Sequence, residues 1–121
     1  MHDTTELTEA VGHLADRLRA APQSRLRRGA AAEGLALARE LAVRAQRLEA
    51  PAAAGAEPRI MPDAGVFAVG DQLTVAGTDF AEAWRAAAGA AREDPSRQEA
   101  LRAELDQVLD LVRTAASRAA L

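Results

Sequence analysis

From Val66 to Ala91 the small and apolar residues recur at alternating steps of four and three: Val66, Gly70, Leu73, Gly77, Phe80, Trp84, Ala87 and Ala91. That spacing brings all eight to one side of an α-helix. The surrounding stretch, 63–92, also holds every aromatic residue of the chain, Phe67, Phe80 and Trp84, so a core has to close around it. One alternative competes, because 66–69 and 72–75 flank Gly70-Asp71 as two strands flank a type II′ hairpin turn. A lone hairpin with no third strand is marginal, whereas the helical stripe runs on in phase past Val75. The helix is therefore the reading adopted, with a helical domain carrying a β-hairpin at 66–75 as the alternative. Asp63 stands as its N-cap. Gly77 marks a kink or restart, for which Asp79 and Glu82 have capping-box spacing.

The rest of the chain supplies partners for that stripe. Asp3 with Glu6 has the spacing of a capping box, and a helix is expected from about Thr4 to Ala20 with Leu7, Val11, Leu14 and Leu18 on its apolar side. Pro22 ends it and suits the first turn of the next. That second helix, 23–49, has a wide apolar face: Leu26, Ala30, Gly34, Leu37, Leu41, Ala45 and Leu48, with Leu35, Ala38 and Ala42 beside it. Residues 51–62, bounded by prolines and without periodicity, read as one long, mobile connection. Asp94 before Pro95 is the clearest local signal, an N-cap followed by proline at the first helical position. The last helix should reach about Ala119 with Leu101, Leu105, Val108, Val112, Ala115 and Ala119 inward. The expected fold is all-α, an antiparallel four-helix bundle formed by 1–121 as a single domain.

Alanine fills 32 positions and all 15 basic residues are arginine, a bias that matches a GC-rich bacterial genome, with an actinobacterial origin the expectation. So many small stripe residues make a thin core, since alanine buries far less than leucine at about 25 cal/mol per Å². A second copy of the chain would add burial, which points to a homodimer.

Chemistry is sparse. The absence of cysteine removes disulfides and thiolate sites. The histidines, His2 and His13, form no metal motif, and Gly65, Gly70 and Gly77 form no phosphate loop. No catalytic residue, metal site or cofactor is expected. The acidic N-terminus does not resemble a signal peptide, and no apolar run has the length of a membrane span, so a cytoplasmic protein without membrane contact is expected. Two features remain. Arg17, Arg19, Arg25, Arg27 and Arg28 lie between Asp16 and Glu33 with no acid among them, a candidate anion or nucleic-acid surface. Phe67, Phe80 and Trp84 are either core or the lining of an apolar ligand pocket. The favoured function is a non-enzymatic helical module that binds another protein. The alternatives are a nucleic-acid-associated regulator and a binder of small apolar ligands.

Overall fold

The computed structural model describes residues 3–51 and 57–121. It is all-helical, and no strand occurs among the described residues. Four helices form: α1 (Thr5–Ala20), α2 (23–49), α3 (Val69–Ala90) and α4 (Pro95–Ala119).

Helix α1 buries Leu7, Val11, Leu14, Ala15 and Leu18 as its spacing predicts. Its start differs from the expected capping box. The Asp3 carboxylate accepts the backbone N–H of Thr5 at 2.8 Å and also its hydroxyl, while Glu6 turns outward to Arg113 at 2.6 Å. A guanidinium offers that carboxylate a charge-assisted bond, stronger than the reach back to a main-chain amide.

Helix α2 has the predicted limits but is not straight. Gln23–Arg25 and Ala31–Glu49 are joined across a kink at Leu26–Ala30, where Gly29 takes the non-helical φ 139°. That conformation strains any residue with a Cβ, so glycine permits the kink.

Helix α3 settles the central ambiguity in favour of helix. It starts at Val69, three residues after the stripe begins, because Gly65 at φ 94° breaks the backbone path and 66–68 form a turn. Asp63 accepts from the N–H of Gly65 at 2.8 Å and caps no helix. Ala68 occupies the N-cap position with no side-chain bond. The helix passes through Gly77 without interruption, so Asp79 and Glu82 cap nothing. Helix α4 begins as expected, with the Asp94 carboxylate accepting the N–H of Arg97 at 3.1 Å and Pro95 behind it.

The helices form a four-helix bundle in which α3 lies against both α1 and α2, and α4 covers the same two from the other side. Its direction of travel adds a detail. Gly34 of α2 faces Val69, while Ala42, Ala45 and Gln46 share a groove with Asp79, so α2 and α3 point the same way. Parallel neighbours require the chain to return along the bundle between them. Residues 57–68 make this return and are pinned as they go. Gln46 pairs with the main chain of Arg59, Arg39 donates to the carbonyl of Met61 at 2.8 Å, and Gln72 donates to that of Pro62 at 2.8 Å. The long connection expected to be mobile is thus, over residues 57–62, a strap tied to α2 and α3. Residues 52–56 lie outside the described part.

Small residues set the spacing inside. A Cβ on Gly77 would stand 2.7 Å from Cγ1 of Val11, one on Gly34 2.7 Å from Cγ1 of Val69, and one on Gly70 3.0 Å from the carbonyl oxygen of Ala15. These three glycines therefore let neighbouring side chains, and at Gly70 the Ala15 main chain, pack directly onto the helix backbone, where dispersion contacts accumulate. Around them Phe80, Trp84, Leu41, Leu73 and Val108 are fully buried, each contributing about 1.5–3 kcal/mol of transfer free energy where the side chain is large. Trp84 donates its indole N–H to the carbonyl of Leu101 at 2.7 Å, so the largest core residue leaves no polar atom unmet.

Candidate functional site

The five arginines of the candidate anion surface do not act as one group. Arg19 is committed to α3: its guanidinium meets the Asp71 carboxylate at 2.9 Å, the Thr74 hydroxyl at 2.8 Å and Asp16 on its own helix at 3.0 Å. Arg25 donates to the carbonyl of Ala120 at 2.7 Å and so closes the C-terminal end of α4. Arg27 lies beside the side-chain amide of Gln23, one helical turn before it. Arg17 and Arg28 are exposed, and Arg17 flanks with Arg25 a shallow hollow of about 240 Å³ that includes Pro22 and Leu121.

The three aromatics also separate. Phe80 and Trp84 are core residues with no exposed surface, whereas Phe67 is 68% exposed in the turn before α3. The reason lies in register. Phe67 falls between stripe positions Val66 and Gly70, so the phase that turns the stripe inward turns Phe67 out. It therefore belongs neither to the core nor to a pocket shared with Phe80 and Trp84.

Among the described residues no group of three or more His, Asp or Glu side chains stands together as a metal site would require. His13 is exposed on α1, and His2 lies outside the described residues. No described helix is long and apolar enough to cross a membrane.

Some large apolar side chains of the described residues stay on the outside. Phe67 at 68%, Ile60 at 59% and Val75 at 55% are the large hydrophobic side chains left exposed among the described residues. Val75 lies on α3, and Phe67 lies eight residues before it in the turn that leads into the helix. Ile60 comes from the strap, in the groove it shares with Asp79, one helical turn beyond Val75. Sequence reasoning named Phe67 for a different role and did not single out Ile60 or Val75. The available signal was that 67 and 75 both fall off the Gly70–Leu73–Gly77 stripe. Ile60 had no such signal, because its position depends on the strap being pinned.

Comparison with protein families, with curated proteins and with solved structures finds no match to this chain.

Proposed function

We propose that the chain is a non-enzymatic helical interaction module that pairs with a second copy of itself through the surface around Phe67, Val75 and Ile60, and in that form binds another protein. The observation that carries this reading is the exposure of Phe67. A phenylalanine held two-thirds in water on an ordered turn forgoes burial that transfer scales put at about 1.5–3 kcal/mol.

The test is photo-crosslinking of purified protein with benzoylphenylalanine at position 67, and at exposed Thr114 of α4 as the control. Crosslinked dimers should form from position 67 and not from position 114. Equal yields from the two positions would remove the Phe67 surface from the reading.

A further inference from the structure

The strap crosses the bundle without burying a side chain. From 57 to 68 only Pro58, Met61, Val66 and Ala68 are half-buried and the rest are exposed, with Ile60 turned outward. Among the described residues no main-chain bond joins 57–64 to a helix. Three side chains hold the strap instead. Gln46 bonds in both directions with Arg59, Arg39 donates to the carbonyl of Met61, and Gln72 donates to that of Pro62, each at 2.8 Å. These ties come from two helices but fall on successive residues of one segment, which Pro58 and Pro62 stiffen by fixing φ. The Gln72 tie also carries a penalty. With its N–H on Pro62, its side-chain oxygen is buried without a donor, and a desolvated acceptor left unmet opposes the state that strands it. Gln72 is otherwise half-exposed, so release from Pro62 lets the amide turn to water. Beyond the strap, Gly65 at φ 94° has no atom within 4 Å of where a side chain would stand, which leaves it free to act as a hinge.

We propose that residues 57–62 are a latch that opens as one unit, swinging about Gly65, while the four helices stay packed. Segments that bury few apolar contacts open at far lower cost than the core. The strap meets that condition, whereas the helices, closed around Phe80, Trp84, Leu41 and Leu73, do not. Opening lifts Met61 and Pro62 away from a hollow of about 540 Å³ that they share with Ala42 and Ala45 of α2 and Asp79 of α3. The seam between the two parallel helices is thereby bared. Gln72 sets the bias, because it is at once a tie and a penalty, so the closed latch is held less firmly than its four bonds imply. The inference goes beyond self-pairing and does not depend on it.

The experiment digests the full chain with an arginine-specific protease under native conditions and follows the cut between Arg59 and Ile60 by mass spectrometry. Cleavage of a transiently opened segment tracks the population of the open form when opening and closing are fast. Gln72→Lys keeps a donor for Pro62 and removes the stranded acceptor, and should slow this cut by about threefold or more. Arg39→Met removes the tie at Met61 and should speed it by about threefold or more. The Arg59 amide is bonded to Gln46 and to neither altered residue, so opening as one unit requires its hydrogen exchange to change by the same factors. Gly77→Ala crowds Val11 and weakens the bundle, yet should leave the cut within about twofold, because a local opening does not draw on global stability. The proposal is overturned if Gly77→Ala speeds the cut in proportion to its loss of stability, or if Gln72→Lys is cut as fast as the wild type or faster. It is overturned equally if Arg39→Met leaves the rate unchanged, or if exchange at Arg59 does not follow the cut.

Discussion

The side-chain amide of Gln46 on α2 and the main chain of Arg59 in the strap pair in both directions. Gln46 donates to the carbonyl of Arg59 at 2.8 Å and accepts its N–H at 2.8 Å. One side chain thereby imitates a neighbouring strand and holds a segment that has no regular structure of its own.

Replacing Gln46 by alanine should free this part of the strap. Both bonds are exposed, so the global cost should be modest, about 1 kcal/mol, while the amide of Arg59 should exchange with solvent much faster than in the wild type. Hydrogen exchange followed residue by residue reads this directly. Unchanged protection at Arg59 would mean that Arg39 and Gln72 suffice to hold the strap.

A single chemical change should have opposite effects at two glycines. Gly12→Ala meets no atom within 4 Å and should stabilise α1 by up to about 1 kcal/mol through helix propensity. Gly77→Ala drives a methyl to 2.7 Å from Val11 and should destabilise by about 1–3 kcal/mol through overpacking. Adding Val11→Ala to Gly77→Ala should relieve that clash. Urea denaturation of the three variants checks the signs.

These glycines also show what the sequence revealed and what it did not. Gly70 and Gly77 stand on the stripe because small residues let α1 close on α3, and that was legible from spacing alone. The four helices, Asp94 as a cap and the core positions of Phe80 and Trp84 were legible for the same reason, since they are local or periodic. The strap was not, because it depends on side chains from α2 and α3 meeting main-chain groups ten or more residues away. The dispersal of the arginine cluster escaped likewise. Arg19 is two residues from Arg17 in sequence, but its partners on α3, Asp71 and Thr74, are more than fifty residues distant.

That dispersal bears on the nucleic-acid alternative. If all five arginines bound a duplex, log affinity would fall with log salt at a slope of about −4 to −5. With Arg19 and Arg25 occupied inside the chain, Arg17, Arg27 and Arg28 remain, and the expectation is no retention on heparin above low salt and a slope no steeper than about −3. A steep slope abolished by Arg17→Glu with Arg28→Glu would favour the phosphate-binding reading instead.

Acid should loosen the start of α1. The bonds from the Thr5 hydroxyl and then the Thr5 backbone N–H hold the Asp3 carboxyl below its ordinary value, with a smaller contribution from the Arg85 guanidinium. A carboxylate with a depressed folded value stabilises the native state above the ordinary aspartate value, and that contribution is lost as pH falls through the depressed one. NMR titration should show the amide of Thr5 shifting in that acid window, and Asp3→Asn should abolish the shift. A Thr5 amide that titrates at the ordinary aspartate value would contradict the bonded geometry.

The most direct test of the account is the mass of the protein in solution. Light scattering at micromolar concentration should give twice the 12.7 kDa of the chain, and Phe67→Asp together with Val75→Asp should return the mass to one chain while circular dichroism shows unchanged helix. A wild-type mass of one chain, or a dimer indifferent to both substitutions, would contradict pairing through this surface.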